Sequence, residues 1–104
     1  MIRKAFIMSV IPGYEVEYER RHRLMWNELA ATLRAHGVSN YSIFLDEETR
    51  ALFGYAEIES EEHWQAIAVT DVCRRWWRYM ADVMPTNPDF SPIAHEAREV
   101  FHID

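Results

Sequence analysis

Residues Val38–Leu45, "VSNYSIFL", and Ala51–Ile58, "ALFGYAEI", flank the turn "DEETR" in the middle of the chain, and the reading of this stretch decides the fold. In the first segment Tyr41, Ile43 and Leu45 alternate with Asn40, Ser42 and Phe44. That period of two is the pattern of a strand with one buried face. The acidic turn returns the chain as a second strand, so the centre of the sequence is a hairpin.

Outward from the hairpin, the pattern on each side is helical. From Tyr14 to His36, Tyr14, Tyr18, His22, Met25, Trp26, Leu29 and Leu33 share one stripe, while Glu19, Arg20, Arg23, Asn27 and Arg34 lie opposite. Gly37 ends this helix, and Arg34 and His36 suit the negative end of its dipole. On the other side Ser60 caps a helix with Glu61 and Glu62 in its first turn. This pattern breaks near Thr70 and Asp71 and continues to Met84, after which "PTNPDFSP" imposes a non-helical loop. "IRKAFIMSV" at the start and "AREVFHI" at the end read as the outer strands, the first closed by "IPG". Strand, helix, strand, strand, helix, strand is an α+β, ferredoxin-like order: a four-stranded antiparallel sheet with two helices on one face. No repeat or linker interrupts residues 1–104, which predicts one domain. A sheet covered on one side exposes the other, so the expected state is a homodimer.

Composition narrows the function. A chain of 104 residues can bury roughly 60 to 70% of the surface its unfolded form exposes, so it folds without covalent staples. Seventeen acidic residues against eleven basic ones leave a net charge of -6, the wrong sign for neutralising phosphates, and no nucleic-acid partner is expected. The only cysteine, Cys73, excludes an internal disulfide and fits a reducing compartment. No stretch approaches 18 apolar residues, so no membrane span is expected and a cytoplasmic location is inferred. Aromatics reach 13%, many for so small a core, which points to a cavity or interface lined by some of them.

The chemistry-bearing positions cluster in the helices. Tyr18 and His22, four apart on the inner stripe, bring their polar tips to one region between helix and sheet. A histidine there is ordinarily a satisfied core residue, yet its neighbours Tyr18 and Trp26 are aromatic rather than aliphatic, and core and cleft both remain open. Tyr41 reads as a strand core residue. In "DVCRRWWRYMADVMP", Asp71–Pro85, Trp76 and Met80 pack as a helix face does, and Trp77, about 100° round, must meet something else. Asp82 reads as a surface residue of the last turn. Metal-ligand spacings such as CxxC or HExxH are absent, so no metal or other cofactor is expected.

The strings "IRKAF", "EYERRH", "HGVSNY", "EIESEEHW", "TDVCRRWWRYM" and "DVMPTNPDFSP", in order from Ile2 to Pro92, resemble the L-rhamnose mutarotase family. "TDVCRRWW" followed by "DVMPTNPD" is the most specific part. The resemblance implies a dimeric α/β barrel, cytoplasmic and cofactor-free, that interconverts the α and β anomers of L-rhamnose. It makes His22 the proton donor and places Tyr18, Tyr41, Trp76 and Trp77 against the sugar. "SVIPGYEV" and the tail "FHID" resemble the family less closely. Mutarotation is acid and base chemistry without a redox step, suited to a histidine that titrates near neutrality. Cofactor-free oxygenases or haem-handling proteins of the same barrel type, and a non-catalytic sugar-binding module, are the other classes such an aromatic cleft would serve.

Overall fold

The computed structural model describes all residues, 1–104. Strand β1 (Ile2–Ser9) is followed by helices α1 (Glu15–Arg23) and α2 (Asn27–Ala35), strands β2 (Val38–Leu45) and β3 (Ala51–Ile58), helices α3 (Glu61–Ile67) and α4 (Asp71–Met80), and strand β4 (His95–Ala97). The sheet is antiparallel throughout, in the order β2-β3-β1-β4. This is the ferredoxin-like arrangement expected from the element order.

Each expected helix is two helices. The first breaks at Leu24–Trp26, where Trp26 has an extended backbone, ψ 132°. Four basic residues, Arg20 to Arg23, end α1, and Asn27 and Glu28 begin α2, so charge at both new termini favours the break. Released from the helix, the Trp26 ring meets Trp76 edge-on at 5.2 Å and Tyr79 at 5.4 Å. The second break falls where the sequence places it. Thr70 donates its hydroxyl to the carbonyl of Ile67 at 2.7 Å and accepts from the amide of Cys73 at 3.3 Å, closing α3 and capping α4. Ser60 caps α3 by accepting from the amide of His63.

Three boundaries differ from the sequence reading. Helix α4 stops at Met80, not Met84; Val83 and Met84 follow in a turn that buries both. Strand β4 is only His95–Ala97, and residues 98–104 leave the sheet. Val100, Phe101 and Ile103 are each more than three-quarters exposed. Within β2 the alternation is interrupted: Ser39 pairs with Glu57 and Ser42 with Tyr55, so Asn40 and Tyr41 together face one residue.

The sheet face carrying Met8, Leu52, Ala56 and Ile58 is buried under the helices. The opposite face shows Phe44 and Phe53, 64% and 44% exposed, in register with each other. The buried layer is not continuous. One cluster joins Met8, Tyr18, Leu29, Leu52, Trp76 and Met80, and a second joins Val38, Ala56, Ile58, Ile67 and Cys73; Leu33 and Trp77 touch both. Between them the Phe6 ring lies on Gly54, where an added Cβ would stand 2.3 Å from the ring. Gly54→Ala should therefore destabilise the fold by about 1–3 kcal/mol, read as a lower urea midpoint at unchanged slope. An unaltered midpoint would show that the ring has room to move.

Candidate active site

The gap between the two clusters is an open cleft of about 1060 Å³ floored by β1 and roofed by the helices. All five residues singled out from the sequence line it: Tyr18, His22, Tyr41, Trp76 and Trp77. Tyr18 and His22, on adjacent turns of α1, stack with ring centroids 4.3 Å apart, and Trp76 of α4 meets the imidazole edge-on at 5.4 Å. Tyr41 comes from β2, its ring at right angles to Phe6 at 6.0 Å. Trp76 is 7% exposed in the first cluster, while its neighbour Trp77 is half-buried against both. The tryptophan pair thus turns the corner of the cleft, as adjacent helical positions must.

The polar tips in this apolar setting are unoccupied. Nδ1 of His22 lies 3.1 Å from the Tyr18 carbonyl oxygen. A carbonyl only accepts, so Nδ1 carries the hydrogen and Nε2 presents its lone pair. Neither Nε2 nor the hydroxyls of Tyr18 and Tyr41 bond to another group of the chain, and no buried polar side-chain atom is left orphaned. Burial lowers the His22 pKa from its usual 6.5, only partly offset by the bond to Tyr18. Burial raises both tyrosines: Tyr18 is pushed further by nearby Tyr41, and Tyr41 by Cys73. The Cys73 thiol is pushed up to about 11 by burial. At pH 7 the cleft is therefore lined by a neutral imidazole and two protonated phenols.

Lys4, Phe6, Trp64 and Cys73 are among the lining residues that were not proposed for the site from the sequence. Trp64 completes an aromatic trio, 5.9 Å from Phe6 and 6.1 Å from Tyr41. The Lys4 ammonium, nearly buried, donates to Glu96 at 2.7 Å and Glu61 at 3.0 Å. Burial pulls its pKa down, but the two carboxylates outweigh that and hold it above the ordinary value. The signal was present in "IRKAFIMSV", where Lys4 shares the inward alternation of Phe6 and Met8. Asp82 is a surface partner, bonded to Arg21 at 2.7 Å. No three His, Cys, Asp or Glu side chains converge in a way that could hold a metal ion.

The L-rhamnose mutarotase family model matches residues 3–103. The chain belongs to this family. An L-rhamnose mutarotase of Opitutus terrae is 66% identical over the whole of both chains. The crystal structure of the L-rhamnose mutarotase FA22100 from Formosa agariphila superposes with a TM-score of 0.92 at 38% identity, again covering both chains completely. An antibiotic biosynthesis monooxygenase superposes with a TM-score of 0.63 over 96% of this chain and 99% of its own, but at 13% identity that likeness speaks to the fold alone.

The mutarotase-family cleft makes a prediction about its histidine. With a native pKa below 6.5, His22 binds its proton more weakly in the folded than in the unfolded chain. Its contribution to stability is therefore present above about pH 6.5 and lost as the pH falls through that value and below. In an NMR titration the His22 ring should change charge below the ordinary histidine value of 6.5; a midpoint above that value would contradict the burial argument.

Proposed function

We propose that His22 is the proton carrier of an L-rhamnose mutarotase, with Tyr18, Tyr41, Trp76 and Trp77 holding the sugar. The chain interconverts the α and β anomers of L-rhamnose, an isomerase reaction, as its family membership along residues 3–103 supports. The observation that carries the residue roles is the unpartnered Nε2 of His22 facing the cleft while Nδ1 is tied to the backbone. Ring opening breaks the bond between the anomeric carbon and the ring oxygen. The anomeric hydroxyl gives up its proton to Nε2 as its C–O bond becomes a carbonyl. The ring oxygen becomes a hydroxyl by taking a proton supplied through the Tyr18 or Tyr41 phenol, both of which are protonated at neutral pH. After the carbonyl face turns, His22 returns its proton to the carbonyl oxygen and so acts as the donor on closure, while the attacking hydroxyl gives its proton back to the phenolate and becomes the ring oxygen again. The tryptophans provide flat walls for the C–H faces and methyl group of the sugar, with indole N–H groups free to donate. Proton transfer requires no cofactor, and prolonged chelation should leave the activity intact.

The whole chain, residues 1–104, acts as a single domain within a homodimeric α/β barrel. Phe44 and Phe53 on the open sheet face and the apolar tail Val100, Phe101 and Ile103 support this, since each needs a cover that one protomer lacks. No helix is long and apolar enough to cross a membrane. A cytoplasmic setting agrees with the one cysteine being a buried free thiol.

Saturation transfer between the anomeric protons of L-rhamnose tests the reading directly. Protein should accelerate the exchange, and sugar binding without acceleration would leave only a binding module. His22→Asn should slow exchange at saturating sugar by roughly 10²-fold or more with little change in affinity. Trp77→Phe should weaken affinity first. A His22→Asn variant that keeps most of its exchange would move the proton carrier elsewhere. Exchange should also fall on the acid side of neutrality, as Nε2 becomes protonated below pH 6.5. Light scattering at micromolar concentration should give the dimer mass, and a monodisperse monomer would refute the shared sheet interface.

A further inference from the structure

We infer that Asn40 and Glu57 are positioning residues that aim Tyr41 into the cleft from the opposite face of the sheet; this rests on the sugar-binding role proposed for Tyr41. The register carries the inference. Val38 pairs with Ile58, Ser39 with Glu57, Ser42 with Tyr55 and Ile43 with Gly54. Asn40 and Tyr41 therefore stand together against the single residue Ala56, one residue more than the ladder accommodates. In an uninterrupted strand Val38 and Tyr41, three apart, would point to opposite faces. Here both point inward: Val38 is 6% exposed in the second cluster, and the Tyr41 ring meets Phe6 and Trp64. The extra residue lets the strand bury its first side chain in the core and still deliver a phenol to the cleft.

Asn40 makes that possible. Its φ of 47° lies in the left-handed region, which asparagine enters more readily than other residues with a Cβ. Its side-chain amide donates to Oε1 of Glu57 at 2.7 Å, and the Tyr55 hydroxyl donates to Oε2 of the same carboxylate at 3.0 Å. Glu57 and Tyr55 are odd-numbered residues of β3 and face away from the cleft, whereas Leu52, Gly54, Ala56 and Ile58 face the helices. The clamp thus pins the backbone of the extra residue from behind, while the next side chain points forward. Asn40 also borders the cleft, but neither it, Glu57 nor Tyr55 bonds to His22 or Tyr18, so a direct effect is told from one passed through Tyr41 by removing Tyr41.

A double-mutant cycle separates this role from a merely structural one. Asn40→Val removes the amide and disfavours the positive φ. Asn40→Gly keeps the conformation accessible and removes only the clamp, so it serves if the valine variant folds poorly. Each is combined with Tyr41→Ala, and rhamnose affinity and exchange at saturation are measured by NMR. With Tyr41 present, Asn40→Val should weaken affinity about fivefold to tenfold, the order of one lost hydrogen bond, and Asn40→Gly by less, with saturated exchange within about twofold. In the Tyr41→Ala background both effects should shrink to less than about twofold, because the residue being aimed is gone. Equal losses in the two backgrounds, or no loss at Asn40 where Tyr41→Ala alone weakens binding, would overturn the inference. Unchanged affinity and exchange in Tyr41→Ala alone would instead refute the role of Tyr41 and the inference with it.

Discussion

The helical layer touches the sheet along two apolar clusters instead of one, and the space between them is an open cleft lined by Tyr18, His22, Tyr41, Trp76 and Trp77. Close packing normally eliminates such a gap, since side chains collapse into any volume they can reach. Here the walls are made of rings that cannot collapse. Phe6 lies against Gly54, Tyr41 meets it edge-on and Trp64 at a tilt, and Trp77 touches both clusters. Each broken helix contributes to this arrangement: the break after α1 lets Trp26 meet Trp76, and the Thr70 cap starts α4, whose second turn carries the tryptophan pair.

The electrostatics follow from the same walls. A neutral sugar offers hydroxyls and C–H faces but no charge, and the groups around His22 match it with neutral donors and acceptors on apolar surfaces. Burial keeps the imidazole unprotonated and the phenols protonated, so the cleft is prepared for proton transfer without holding a charge against its walls. Lys4, nearly buried at the cleft, is paired with Glu96 and Glu61. The net negative charge belongs to the outside of the molecule and governs solubility more than recognition.

The sheet connects two tasks that face opposite ways. Its inner side floors the cleft, and its outer side carries Phe44, Phe53 and the Asn40–Glu57–Tyr55 clamp. An irregularity in the edge strand β2 is where the two sides communicate, because one extra residue changes which way a side chain points without moving the rest of the ladder.

The sequence by itself determined the order of elements, the hairpin at its centre, the inner stripe with Tyr18 and His22, the cap at Ser60 and the break near Thr70. These are local matters, settled by periodicity and by hydrogen bonds within a few residues. It also placed all five residues that meet in the cleft, and family resemblance assigned them roles that helical spacing alone left open between core and site. Tertiary structure decided the rest. The break at Leu24–Trp26 lets the Trp26 ring meet Trp76 across the interior, and the end of α4 at Met80 lets Val83 and Met84 turn into the core; both are contacts between distant residues that helical periodicity does not encode. Strand β4 is short because pairing needs a neighbour, and β1 pairs with it only at Ala5 to Ile7. Lys4 and Trp64 became cleft residues only when β1 and α3 were brought together. The β2 bulge is the clearest case: alternation correctly separated Tyr41 from Asn40, but the inward position of Val38 requires an extra residue that only the register with β3 reveals.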